Sequence, residues 1–183
     1  MSEVEKTQVM GEDGGAAAAA GEGKKVMVAI DESDYSYHAL MWVLDNLKES
    51  ITATPLVIFA SQAPPNYNYI YAASLSSARM FTVSSNPELT NSIQEKNKKV
   101  VLGLLEKAKG ICASRGVNAE TIAEVGDPKV AICAAVEKYK INLLVIGYRG
   151  MGVLKRAIIG SVSNYCVQNA KCPVLVVKKP DNS

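Results

Sequence analysis

The chain has 183 residues, with 20 Lys and Arg against 18 Asp and Glu and a formal net charge of +2, a balance too even for the basic face of a nucleic-acid binder. At 48% hydrophobic residues it can bury the core of one domain, yet no apolar run approaches the roughly 20 residues that a membrane span requires. The start carries no basic leader with an apolar core and no glycine after Met1, so a soluble protein of the cytoplasm or nucleus is expected, with no membrane and no nucleic-acid partner.

Residues 1–23 are polar and rich in Gly and Ala, too poor in large apolar side chains to offset the entropy of ordering, and are read as a disordered tail. The domain is expected over 24–179, with 180–183 as a short second tail. It opens on "KKVMVAID", a short apolar run of the kind a buried strand makes, with Asp31 at its end. A helix follows, with Leu40, Val43, Leu44 and Leu47 at helical spacing and Ser33 or Asp34 as N-cap. Tyr37 and Trp42 are assigned to its core side. His38, the single histidine, has no serine or cysteine motif to work with, which excludes a hydrolytic triad.

"TPLVIFAS" is the second strand, with Pro55 at its entrance, where a strand tolerates it. From 61 to 90 the chain holds prolines, serines and three closely spaced tyrosines, Tyr67, Tyr69 and Tyr71, without a sustained period, and is read as a long flexible insertion. The next helix carries an apolar stripe from Ile93 to Cys112, and Gly116 closes it. "NAETIAEVG" alternates weakly, like a strand. Asp127-Pro128 is a helix start in which the acid caps and the proline takes the first turn. Ile132, Ala135, Val136 and Tyr139 form the buried face of that helix. "INLLVIG" is a buried strand, 161–169 a short helix and "CPVLVVKK" the last strand.

Strands that are continuous Val, Ile and Leu runs, alternating with helices, indicate a parallel sheet covered on both faces. The fold class expected is therefore α/β, a doubly wound, five-stranded parallel sheet, Rossmann-like or flavodoxin-like, in a three-layer sandwich. Ligands of such sheets bind beyond the carboxyl ends of the strands, where the winding reverses. The four cysteines, Cys112, Cys133, Cys166 and Cys172, have no metal-type spacing and read as free thiols.

The fourth strand runs into "GYRGMGVLKRAIIGSVS". Gly147, Gly150 and, nine residues further on, Gly160-Ser161 give the pattern G-x-x-G-x9-G-S. A glycine can bring the backbone close to a ligand or turn its amides inward. Gly160-Ser161 opens a helix whose free N–H groups favour phosphate, with Ser161 and Ser163 adding hydroxyls. Of the three basic residues in this loop, Arg149, Lys155 and Arg156, Arg149 alone lies in the short span between Gly147 and Gly150. Neither a Walker A loop nor a dinucleotide fingerprint fits the spacing. On the glycines alone, a phosphate site and a purely structural loop stay equally open, and Asp31 can serve either as a ligand or as a cap for the first helix.

This glycine pattern, the "VAIDES" start, the "GDP" before the third helix and the "CPVLVVK" ending together resemble the universal stress protein family in its ATP-binding branch, in the manner of a plant single-domain member. The resemblance covers nearly all of 24–179. It implies strand order 3-2-1-4-5, a homodimer, and an adenine nucleotide, ATP or AMP, between the first and fourth strands. By resemblance, Ala29 and Asp31 meet ribose and phosphate, Asp31 also shares a magnesium ion, and the backbone of Ala60 reads the adenine edge. Ile146 and Gly147 then flank base and ribose, while Arg149, Gly150, Gly160, Ser161, Val162 and Ser163 surround the phosphates. The apolar last strand, Val174, Leu175, Val176 and Val177, is an edge suited to pairing with a second copy. The function expected is a homodimeric sensor of nucleotide state in the stress response, with no catalytic residue assigned. A slow magnesium-dependent ATPase and a nucleotide-independent scaffold are the alternatives.

Overall fold

The computed structural model describes residues 24–62, 64, 87–149 and 159–180. The expected tail at 1–23, most of the expected insertion, its three tyrosines, Gly150, Lys155 and Arg156 lie outside the described residues.

The elements are β1 (Val26–Ala29), α1 (Asp34–Asn46), a single 3-10 turn (Lys48–Ile51), β2 (Leu56–Gln62), α2 (Pro87–Ser114), β3 (Ala119–Val125), α3 (Pro128–Lys138), β4 (Leu143–Gly147), α4 (Ser161–Asn169) and β5 (Val174–Val177). All strand pairs are parallel and the sheet order is β3-β2-β1-β4-β5. The doubly wound α/β fold and its 3-2-1-4-5 order are thus as expected.

Successive strand residues point to opposite faces, so a strand covered on both sides must be apolar throughout. Val26 and Val28 enter one core cluster with Leu56, Ile58, Val145 and the apolar faces of α1 and α2. Met27 and Ala29 enter the other with Val57, Phe59, Leu144, Ile146 and residues of α3 and α4. The central strand β1 is buried at every position.

The helix ends follow local chemistry. Ser33 is the N-cap of α1 and accepts a hydrogen bond from the Ser36 amide at 3.2 Å. Asp127 caps α3, accepting from the Lys129 amide at 3.1 Å, and Pro128 fills the first turn. Asp127→Ala is expected to cost about 1 kcal/mol, a fall of about 2–4 °C in melting temperature for a chain of this length, measurable by differential scanning calorimetry. Helix α2 is stopped, two residues beyond Ser114, by Gly116, whose φ of 71° is left-handed. The amide of Val117 bonds to Cys112 O at 2.9 Å and that of Gly116 to Ala113 O at 3.0 Å, the paired bonds of a Schellman stop.

Three expectations are corrected. Helix α2 begins at Pro87, inside the stretch read as insertion; its early turns are mostly polar, so no apolar period announces them, whereas Pro at a first turn is compatible with a helix start. Strand β2 continues to Gln62, trimming the insertion at its other end. Tyr37 is 50% exposed instead of in the core, because α1 buries the faces carrying Ser36, Ala39, Leu40, Val43 and Leu44.

The cysteines are free. Burial, reinforced by the neighbouring Cys133 thiol, pushes the Cys166 thiol up to about 12, and burial also raises Cys112, Cys133 and Cys172. Because the thiolate is the reactive form, iodoacetamide at pH 8 is expected to reach the half-buried Cys133 and Cys172 first. Cys112 and Cys166, both fully buried, are expected to label only on unfolding, as peptide mass spectrometry will show.

Candidate nucleotide cleft

The central strand stops short of its neighbours. Pairing between β1 and β2 ends at Ala29 opposite Phe59, with the Ile30 amide adding one bond to Phe59 O at 2.8 Å. Beyond that point Ala60, Ser61 and Gln62 pair only with β3. On the other side, β4 runs one residue past Ile146, the partner of Ala29, to Gly147. A notch results at the carboxyl end of the sheet, with Ile30 and Asp31 at its floor and the ends of β2 and β4 as walls. This is the point where the winding reverses, α1 and α2 lying on one face and α3 and α4 on the other.

The floor is a tightly bonded turn. The Asp31 carboxylate accepts from the Ser33 amide at 3.0 Å and from the Ser33 hydroxyl at 2.5 Å. Ser36, 4% exposed, accepts from the Asp31 amide at 3.1 Å, and its hydroxyl points at the carbonyls of Asp31, 2.7 Å away, and Ser33, 3.0 Å away. Asp31 therefore does help to build the start of α1. At the rim, Asp34 forms an ion pair with Lys179 at 3.6 Å. Beside the turn, between α1 and α2, lies a cavity of about 290 Å³ with Ile30, Leu40, Leu104 and Ile111 among its apolar lining and Asp31 and Lys107 among its charges.

At the far wall the chain leaves β4 through Tyr148, whose amide bonds to Val177 O at 2.8 Å, and returns at Gly160, whose amide bonds to Tyr148 O at 2.9 Å. The Arg149 guanidinium stands over the Tyr148 ring, 5.2 Å from its centre. Gly160 is the N-cap of α4, and among the described residues no side chain caps that end. The first amide to bond back within the helix is Asn164, to Gly160 O at 2.9 Å, so the N–H groups of Ser161, Val162 and Ser163 are first-turn donors with no partner inside the helix. They stand at the positive end of the helix dipole.

The structure brings most of the expected site residues to this notch, though not all in the expected posture. Ala29 and Ile146 are paired, buried core residues of adjacent strands. Ala60 is 1% exposed and lies two residues before the end of β2, not at it. Ser161 is exposed and Val162 packs on the core beneath α4. Ser163 is 2% exposed and donates its hydroxyl to Gly147 O at 2.8 Å, so that proton is directed into the fold. Gly147 brings close the backbone of α1: a β-carbon there would lie 2.8 Å from Tyr35 C and O. Sequence reasoning missed Ser36, whose only signal is its place three residues after the cap Ser33. Among the described residues no group of three His, Cys, Asp or Glu side chains is arranged to hold a metal.

Residues 23–178 match Usp, the Universal stress protein family. The chain is 33% identical over 154 residues, 84% of its length, to the universal stress protein YxiE of Bacillus subtilis, of which it covers 98%. It is 36% identical over 98 residues, 54% of its length, to a universal stress protein A-like protein of Arabidopsis thaliana, and that match spans 56% of the relative. Among solved structures, a universal stress protein family protein from Arabidopsis thaliana with AMP bound superposes with a TM-score of 0.60 at 25% identity, covering 87% of this chain and 94% of that one.

Proposed function

Since the chain belongs to the universal stress protein family, we propose that it is an adenine-nucleotide-binding regulatory protein, a homodimeric sensor whose notch above β1 holds ATP or AMP. One observation carries the reading. Helices α1 and α3 have their first turns capped by Ser33 and Asp127, whereas α4 begins on Gly160, which has no side chain to cap with, and among the described residues nothing caps its first-turn amides, an arrangement that suits an anion. Arg149 follows the end of β4 in the same loop, and Asp31 stands two residues beyond the end of β1. A family relative crystallised with AMP bound supports the adenine half of the assignment.

In this reading the phosphates lie on the amides of Ser161, Val162 and Ser163, with the exposed Ser161 hydroxyl as an added donor. Ala29, Ala60, Ile146 and Gly147 border the nucleoside, with Gly150 between the two flanking glycines of the motif. The Asp31 carboxylate is already held by two donors of Ser33. That suits a fixed contact to ribose or to a magnesium ion better than proton abstraction, and it favours binding over turnover. The edge strand β5 supplies Val174, Leu175, Val176 and Val177 for pairing with a second copy.

The test is to purify the protein natively, denature it, identify any released nucleotide, and follow its melting with ATP, ADP and AMP, with and without magnesium. At a hundred times the dissociation constant, bound nucleotide stabilises by about 2.7 kcal/mol, a rise of about 5–11 °C for a chain of this length. No released nucleotide and no shift at millimolar ATP or AMP would remove the proposal. Phosphate release that Asp31→Asn abolishes would turn it into an ATPase. Sedimentation as a monomer would remove the dimer.

A further inference from the structure

Gly147 is gripped from both faces of the sheet. On one side the first turn of α1 rests directly on it: a β-carbon at Gly147 would stand 2.8 Å from Tyr35 C and O and 3.0 Å from the Ser36 amide nitrogen. On the other side α4 is fastened to it through the buried Ser163 hydroxyl, which donates to Gly147 O at 2.8 Å. Ser36 ties the α1 turn onward to both backbone polar groups of Asp31, at 3.1 Å and 2.7 Å. An unbroken sequence of contacts therefore runs from Asp31 through Ser36 and Gly147 to Ser163 and the amides that open α4. Each hydroxyl in it is nearly inaccessible to solvent and satisfied within the protein.

We propose that Ser36 and Ser163 are positioning residues which, through Gly147, fix the separation between the Asp31 carboxylate and the α4 amides, so that the two lips of the cleft form one preorganised unit. The inference rests on the nucleotide reading for its purpose but not for its geometry. Two short hydroxyls, both directed to backbone carbonyls, hold the lips more rigidly than long side chains do. A ligand that bridges the lips then meets a cleft already at its bound spacing and avoids the cost of ordering it. Displacement of one lip is passed to the other, because a glycine packed this closely has no slack to absorb it.

Two readouts on the full chain test this role, and the first, taken without ligand, separates it from direct phosphate contact by the Ser163 hydroxyl. In 15N-resolved spectra of the nucleotide-free protein, Ser163→Ala is expected to move the amide resonances of Asp31, Ser33 and Ser36, and Ser36→Ala those of Ser161 to Ser163. Ser161→Ala, whose side chain is outside the relay, is expected to leave the Asp31 turn where it is. In titrations with ATP, Ser163→Ala is expected to bind about tenfold more weakly, and Ser163→Thr, which keeps the hydroxyl, to recover most of that loss. Resonance changes confined to the mutated helix, or failure of Ser163→Thr to restore affinity, would overturn the proposal. If Ser36→Ala does not fold, the Ser163 pair decides alone. If the wild type binds neither ATP nor AMP, the nucleotide reading fails, while the cross-notch resonance changes still decide whether the lips are coupled.

Discussion

Gly147→Ala is expected to lower the melting temperature by about 4–12 °C and to weaken nucleotide binding together with stability. The added methyl would meet backbone atoms of Tyr35 and Ser36 at 2.8–3.0 Å, and backbone cannot swing aside as a flexible side chain can. Relief must come from lifting the start of α1 off β4 or from bending the end of β4, and either breaks close packing that covers the central strands. Overpacking of this kind costs about 1–3 kcal/mol, with the upper end expected where both neighbours are main chain, and each kcal/mol moves the midpoint by about 2–4 °C at this size. The same substitution has the opposite sign elsewhere. Gly103 lies on an exposed face of α2 with open space where a β-carbon would go, so Gly103→Ala should stabilise by up to about 1 kcal/mol through helix propensity. Calorimetry on the two variants compares close approach with propensity in one protein, and a Gly147→Ala protein that melts with the wild type would mean that α1 does not rest on this glycine.

That contrast also marks what the sequence makes legible. A sheet covered on both faces writes itself as unbroken apolar runs, so β1, β2 and β4 can be read directly, and with alternating helices they imply the winding that places a cleft beyond β1 and β4. Caps are equally local: Asp127-Pro128 and Gly116 act within four or five residues of themselves, and both are found in the expected roles. The direction in which a small polar side chain points is not local. Ser163 reads as a phosphate donor because it follows the motif glycine, yet only the approach of α4 to β4 turns its hydroxyl onto Gly147 O. Ser36 reads as one more polar residue in a helix, and its burial depends on the seating of α1 against β4. The early start of α2 is hidden for another reason: its first turns carry little apolar surface, so the period that identifies the rest of the helix is missing there.

Gly160 gives the strongest expected effect on binding, and the reason is again space. Its φ of −63° and ψ of 152° are open to any residue, so no left-handed conformation demands glycine. A β-carbon there would lie 3.2 Å from Arg149 Cα, 3.3 Å from Tyr148 O and 3.6 Å from Ser163 Oγ, tight enough that the neighbours must yield slightly. Gly160→Ala is therefore expected to be tolerated, with a loss of affinity for ATP of about threefold to tenfold. Gly160→Val places two further methyl groups in the same space and must separate α4 from the end of β4. The bond from the Gly160 amide to Tyr148 O, 2.9 Å long, and the Ser163 bond to Gly147 O are the first to lengthen. The amides of Ser161 to Ser163 then lose their aim at the notch, and a displacement near 1 Å in such a constellation costs on the order of a hundredfold. Titration of ATP and AMP against the three proteins should rank them Gly, Ala, Val, with Val weaker by about a hundredfold while its circular dichroism still reports the α/β fold. A folded Gly160→Val protein with undiminished affinity would place the phosphates away from α4, because no arrangement that uses its first-turn amides can survive that displacement unchanged.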